Sequence, residues 1–359
     1  SMYKKLFIPG PTHVREEILQ AQTAPMIGHR AKEYSDLQGR VTPKLQQLLY
    51  TQQPVFIYAS SGTGVMEGSI RQAVRPGKRA LVTVCGAFSK RWLEIAVGNG
   101  IPTDKVEVEW GLGFRPEQVV EALGQGDYDA VTLTLNETST GVQNPVAEIA
   151  AAVRAAYPDV VILVDAVSAM AGVKIEFDAW DIDCVLASSQ KCFALPPGLT
   201  IAAVSERMFK RAGEVPGRGY YFDFLDMLKY YKKNQTPATP AISLIYALDK
   251  QMDDILAEGL ENRWARHLEM AHLVQGWGRK YWELFAAEEF LSPTVTTMVN
   301  TRGIVVSDLN KALAERGAMI SNGYGDLKEK TFRIATMGDL TVADIRWLLG
   351  EINDILGLE

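Results

Sequence analysis

The chain has 359 residues, 47% of them hydrophobic and 22% charged, an ordinary globular composition with enough length for a large core and, at roughly 100–200 residues per domain, for two domains. A formal net charge of −6 argues against nucleic acid or an anionic membrane as the main partner, since both need a positive field. Three scattered cysteines (Cys85, Cys184, Cys192) are too few for a disulfide framework or a Cys-based zinc site, so no metal is expected and a reducing, cytoplasmic setting fits best.

No basic start followed by a short apolar stretch occurs, nor any uncharged run of about 18 residues, so neither a signal peptide nor a membrane span is expected. Ser1 ahead of Met2 reads as a cloning remnant. Over the first two-thirds of the chain, short apolar runs alternate with helix-period stretches. The runs Val55–Tyr58, Ala80–Val84, Lys105–Val108, Ala130–Thr134, Val160–Val164, Cys184–Ala187 and Thr200–Val204 predict strands. Between them 64–74, 89–98, 116–123 and 146–157 predict helices. That alternation predicts an α/β fold with a mostly parallel seven-stranded sheet covered on both faces. The unalternating VVILVD run suits a central strand of such a sheet.

After about residue 240 the texture changes. One long helical pattern runs from about 243 to 285, followed by a strand at 294–300, a helix at 307–316, a short strand near 318–321, a strand at 331–335 and a last helix at 342–356. This predicts a smaller C-terminal α+β domain. The division is a large domain over 1–257 and a small one over 258–359.

Ligands of open α/β sheets sit at the carboxyl ends of strands, and three predicted strand ends carry unusual residues. Tyr58-Ala-Ser-Ser-Gly-Thr-Gly64 joins a strand to a helix, and small residues there let an anion approach the free N–H groups and positive dipole end of the helix. A plain helix cap gives the same pattern. Asp165 ends the apolar run 160–164, where a carboxylate needs a partner to offset desolvation; a protonated pyridine nitrogen is one and a helix-capping role another. Ser188-Ser-Gln-Lys191 follows the strand 184–187, and a lysine in so apolar a setting has a lowered pKa and forms a Schiff base readily. Together the three supply a phosphate cradle, a pyridinium partner and an imine-forming lysine, which is what pyridoxal 5′-phosphate (PLP) needs.

The same residues carry a resemblance. Ile8-Pro-Gly-Pro-Thr12, Met26-Ile-Gly-His-Arg30, Ser60-Ser-Gly-Thr63, Asn136-Glu-Thr-Ser-Thr-Gly141, Val164-Asp-Ala-Val-Ser168, Ser189-Gln-Lys-Cys-Phe-Ala-Leu-Pro-Pro-Gly198, Thr236-Pro-Ala-Thr-Pro240 and Phe332-Arg-Ile334 resemble segments of the class V aminotransferases of PLP fold type I. The chain is similar to the alanine–glyoxylate and serine–pyruvate (serine–glyoxylate) group over nearly its whole length. The resemblance implies that Lys191 is the Schiff-base lysine and moves the proton between the substrate Cα and the cofactor C4′, and that Asp165 pairs with the ring nitrogen. It implies that Ser61, Gly62 and Thr63 hold the phosphate with Gln190 and, across a homodimer interface, Thr236 or Thr239. Phe88 would stack on the pyridine ring and Thr138 would hydrogen-bond its O3′ side. Arg333 would grip the substrate carboxylate, a task for a planar fork, with Gly10 and Gly28 allowing close backbone approach and His29 beside the substrate. The N-terminal segment 1–16 would reach the active site or the partner subunit.

The function so implied is a ping-pong transaminase moving the amino group of serine or alanine to glyoxylate or pyruvate. Phosphoserine aminotransferase is the alternative, needing a second cation for which His29, Arg30, Lys328 and Lys330 are candidates. A cysteine desulfurase would want His where Gln190 stands and a reactive Cys on a loop. Some chains of this group bear the name of soluble-hydrogenase subunits, which would make this a partner protein without catalysis. His13, His267 and His272 show no metal spacing and read as surface or helix residues. The segment Ser321-Asn-Gly-Tyr-Gly325 faces the substrate in this group, and no single side chain stands out in it.

Overall fold

A computed structural model describes residues 3–359; the Ser1-Met2 start lies outside the described residues. Strands β1 (Val55–Tyr58), β2 (Arg79–Val84), β3 (Thr103–Glu107), β4 (Tyr128–Thr134), β5 (Val161–Asp165), β6 (Cys184–Ser188) and β7 (Thr200–Val204) form one sheet, ordered β1-β7-β6-β5-β4-β2-β3. Six of them run in one direction; β7 runs against its neighbours β1 and β6.

Successive side chains of a strand point to opposite faces, and both faces here are covered. Ile162 and Val164 of β5 join an apolar cluster with Leu45, Ile149 and Leu248, while Val161 and Leu163 join a second cluster with Val65, Trp92 and Phe224. All five residues of β5 are buried, and hence the missing alternation in its sequence.

A second, antiparallel sheet holds β8 (Glu283–Leu284), β9 (Val295–Val299), β10 (Ser321–Asn322) and β11 (Thr331–Ala335), in the order β8-β9-β11-β10. Met298, Phe332 and Ile334 pack there against Trp277, Ile345 and Leu348 of the helices Leu260–Tyr281 and Val342–Leu356. The chain start belongs to this core. Lys5–Leu6 pairs in parallel with Ala318–Met319, Phe7 is buried, and its carbonyl accepts the Ala335 N–H at 2.8 Å.

The long helical pattern expected from 243 to 285 is two helices, Ile242–Glu258 and Leu260–Tyr281. Gly259 between them has φ +89°, a left-handed conformation that ends the first helix. The expected boundary at 257/258 lies just ahead of this turn. Trp282 is extended, and Glu283–Leu284 joins the second sheet.

The second of these helices carries a buried polar joint. Arg263 donates to the carbonyls of Ala171 (2.7 Å) and Cys192 (2.8 Å) and is ion-paired with Glu258 at 3.2 Å. His267, read as a surface or helix residue, lies in a helix and is fully buried. Its Nε2 accepts the Gly338 N–H at 2.9 Å, and Nδ1 stands 2.9 Å from the Arg263 carbonyl, so the neutral tautomer with the proton on Nδ1 satisfies both. Burial, reinforced by the charges of Arg263 and Arg266, holds its pKa well below the ordinary 6.5. The unfolded chain therefore takes up a proton below pH 6.5 that the folded chain refuses. This stability is complete above that pH and drains away as pH falls, at up to about 1.4 kcal/mol per pH unit. Urea unfolding of the parent and of His267→Gln between pH 7 and pH 5 measures this: the parent should lose more stability by about one proton's slope, and parallel losses would contradict the assignment.

Candidate active site

Five strand ends converge on one cavity. Ser61, Gly62 and Thr63 follow β1; Phe88 and Arg91 follow β2; Asn136 and Thr138 follow β4; Asp165 ends β5; Ser188 ends β6, and Gln190 and Lys191 come next. All of them line the cavity.

The helix Gly62–Arg71 starts at the cavity wall, with Ser61 as an N-cap whose side chain makes no capping bond. The Gly62 N–H donates to Ser188 Oγ at 3.1 Å, and a Cβ on residue 62 would come within 2.6 Å of that oxygen, so only glycine leaves the approach to this helix end open. Arg91 adds a positive charge there, donating to Thr63 Oγ1 at 3.3 Å. A helix N-terminus with a guanidinium beside it suits a phosphate.

The Asp165 carboxylate is buried and accepts one protein hydrogen bond, from the Val167 N–H at 2.8 Å. Burial pushes its carboxyl up to about 7, and the charge of Glu137 adds to the rise. Lys191 is pulled the other way: burial, with repulsion from Arg333, brings it down to about 8. Its Nζ donates to the Pro9 carbonyl at 2.5 Å, Thr12 bonds the backbone of Gln190 and Lys191, and a Cβ on Gly10 would overlap the Lys191 side chain. The strap 9–12 thus bears directly on the lysine.

Arg333, on β11, is buried beside the cavity rather than in its wall. Its guanidinium donates to the carbonyls of Asn322 (3.0 Å) and Thr138 (3.2 Å) and to Ser321 Oγ (3.2 Å), all neutral acceptors. Burial lowers its pKa to about 10, which leaves it a cation at neutral pH. A buried cation bonded only to neutral groups is matched to an incoming anion.

Four expected residues lie elsewhere. Gly28 is exposed and His29 half-buried, neither lining the cavity. Thr236 and Thr239 line a separate small cavity with Tyr58, Tyr221 and Pro240. The Thr236 hydroxyl turns inward to the Ala238 carbonyl at 2.6 Å, whereas Thr239 is exposed. Arg30, weighed as a phosphoserine contact, is held by the carbonyls of Thr236 and Pro237; Lys328 and Lys330 are exposed.

Residues 14–328 match the family model described as aminotransferase class-V. The chain belongs to the class V aminotransferases. An uncharacterized aminotransferase of Methanocaldococcus jannaschii is 38% identical over 93% of this chain and 88% of its own length. The L-aspartate–glyoxylate aminotransferase of Paracoccus denitrificans is 33% identical over 94% of this chain and 87% of its own. The crystal structure of an alanine–glyoxylate aminotransferase from Nostoc sp. superposes with a TM-score of 0.93 at 27% identity, covering 99% of this chain and 96% of that one. The fold is PLP fold type I, and the aminotransferases of this family are PLP-dependent transaminases.

The aminotransferase's cavity fits that cofactor. Asp165 lacks a bonded cation, and the buried Asn136 Oδ1 and Gln190 Oε1 have no hydrogen-bond partner among the described residues. Four polar groups of the aminotransferase site went unread in its sequence. Arg91, Asn136 and Ser188 line the cavity, and Glu137 stands behind it. The Glu137 carboxylate is fully buried and accepts five hydrogen bonds: from the Phe88 and Ser89 N–H groups, Ser89 Oγ, and the Ser139 N–H and Oγ, at 2.7–3.2 Å. It thereby caps the helix Ala87–Gly98 and fixes the backbone that presents Phe88. Its position inside Asn136–Gly141, a charged residue just past an apolar strand, was the available signal.

Proposed function

We propose that this aminotransferase moves the amino group of a small amino acid, serine or alanine, to a 2-oxo acid such as glyoxylate or pyruvate in a ping-pong cycle. The observation that carries the reading is the buried Arg333 guanidinium, bonded only to neutral acceptors, beside the cavity that contains a desolvated Lys191 and Asp165. PLP bound there supplies the electron sink for the chemistry at the substrate α-carbon. Ser61, Gly62, Thr63 and Arg91 would hold its phosphate, Phe88 its ring face, Asp165 its ring nitrogen, and Asn136, Thr138 and Gln190 its polar edge.

The chain's own residues do the rest. Arg333 orients the substrate through its carboxylate. With its pKa near 8, Lys191 has a substantial neutral fraction at slightly alkaline pH, so its Nζ can take the α-proton and give it back. The strap 9–12 limits where that amine can swing.

The names of the Paracoccus relative and the Nostoc structure both include glyoxylate, which supports it as acceptor. Small donors are favoured because none of His29, Arg30, Lys328 and Lys330 lines the cavity to receive a second acidic group. Desulfurase chemistry is disfavoured: all three cysteines are buried, and burial pushes the thiols of Cys85 and Cys192 up to about 12. The Lys191, Asp165 and Arg333 set argues for catalysis over a passive subunit role. We also read the enzyme as a cytoplasmic homodimer in which Thr239, exposed where Thr236 is engaged internally, reaches the partner's phosphate site.

The test is a half-reaction screen of the PLP-loaded protein. L-Alanine or L-serine should bleach its visible absorbance, and glyoxylate or pyruvate should restore it. Bleaching by O-phospho-L-serine alone would move the assignment to the phosphoserine reading, and no bleaching by any amino acid would overturn transamination.

A further inference from the structure

The loop between β10 and β11 carries an aromatic side chain whose place the chemistry above does not explain. Tyr324 is 38% exposed, unusual for a large ring beside a buried site. Its ring centroid is 4.8 Å from that of Phe88, tilted by 41°, and the Arg333 guanidinium carbon lies 5.9 Å from the same centroid. Arg91 stands 5.0 Å from the Phe88 ring. The contacts therefore run from Arg91 to Phe88 to Tyr324 to Arg333, and Arg91 and Phe88 line the cavity.

The loop that holds Tyr324 is braced. The Gly323 N–H donates to the Thr331 carbonyl at 3.0 Å, and the Leu327 N–H closes a turn on the Tyr324 carbonyl at 3.0 Å. Glu329, whose N–H donates to Asn322 Oδ1 at 2.7 Å, ties the far end through its carboxylate to Asn322 and to the Val306 N–H at 2.8 Å. Asn322 in turn accepts from Arg333 through its backbone carbonyl. The same short strand thus positions the carboxylate anchor and launches the tyrosine, so anchor and ring are held at a set spacing.

We propose that Tyr324 is the specificity-determining wall of the substrate site, closing the space beside the Arg333-bound carboxylate so that only amino acids with small side chains are accepted. This rests on the reading of Arg333 as the carboxylate anchor and Lys191 as the base. Those two residues fix the carboxylate and Cα of any substrate, and the freedom left belongs to the side chain. A rigid aromatic face next to the anchor removes volume on that side and shields the ion pair from water. The ring does both; its hydroxyl, with no hydrogen-bond partner among the described residues, is not needed for either.

The experiment compares the parent, Tyr324→Phe and Tyr324→Ala as PLP-loaded enzymes. The kcat/KM for L-alanine and for L-leucine is measured with glyoxylate as acceptor. Apolar walls discriminate by roughly 10–200-fold per methylene-sized change, so Tyr324→Ala should raise the leucine-to-alanine ratio by at least about tenfold, while Tyr324→Phe keeps the parent ratio. Binding of the unreactive carboxylates propionate and 4-methylpentanoate, followed by calorimetry, gives a readout that needs no turnover. Tyr324→Ala should shift that preference toward the longer acid by a similar factor, and Tyr324→Phe should not. If both preferences stay within about threefold of the parent in Tyr324→Ala, the ring is no wall and the proposal falls. A parent enzyme that transaminates neither amino acid overturns the functional reading instead, and the carboxylate titration still decides the role of Tyr324.

Discussion

Replacing Lys191 by alanine is expected to lower transamination by at least about a thousandfold, because the variant loses both the covalent attachment point and the proton carrier, and general acid–base catalysis alone is worth roughly 10²–10⁴. The fold should survive. Lys191 is a desolvated amine next to a repelling Arg333, and its one side-chain hydrogen bond is to the Pro9 carbonyl. Removing an ammonium from such a place relieves burial of charge, so the thermal midpoint of the cofactor-free variant should stay within a few degrees of the parent. Glycine formation from glyoxylate and L-alanine, read beside a thermal melt, measures both. Turnover within tenfold of the parent would show that proton transfer does not depend on this lysine.

Arg333→Ala is expected to reduce kcat/KM for L-alanine and L-serine by at least about tenfold, with cofactor absorbance unchanged. A guanidinium has five N–H groups, and three of its donor atoms here already reach Asn322, Thr138 and Ser321. One N–H on each terminal nitrogen is left, the pair that grips a carboxylate in parallel. A charge-assisted bond of this kind is worth about 1.5–3 kcal/mol, and about 1.4 kcal/mol is a decade in rate. Arg333→Lys should recover little, since an ammonium has neither the fork nor the reach to keep the three structural bonds. Unchanged kinetics for both donors in Arg333→Ala would remove this residue from the site.

The parts legible in the sequence were those with a single physical cause. Six of the seven strands of the main sheet are buried on both faces, so each stands out as a largely apolar run; the edge strand β3 (Thr103–Glu107), polar and only partly buried, is the exception. The break at Gly259 was hidden because apolar spacing continues across it, and a glycine inside a helical pattern is often tolerated. The helix Lys32–Leu48 left no clear mark either: it carries Pro43 inside it and many polar residues, and its burial against Ile242–Glu258 comes from tertiary packing. At the site, residues that directly follow a strand were readable from position alone, as for Asp165 and Lys191. Glu137, Arg91 and His267 were not, because their roles depend on what lies opposite. A glutamate is a surface residue by default, and only the five donors converging on Glu137 make its burial tolerable. For Thr236 and Thr239 the sequence left two equal candidates, and the Thr236 hydroxyl donates to the Ala238 carbonyl.

Transfer of an amino group from a small amino acid to a 2-oxo acid is measured directly by incubating the purified PLP-loaded enzyme with 15N-labelled L-alanine and unlabelled glyoxylate and following the nitrogen by mass spectrometry. 15N-glycine and pyruvate should form in equal amounts, and neither with Lys191→Ala. Labelled nitrogen that stays in alanine, with the same outcome for labelled L-serine, would contradict it.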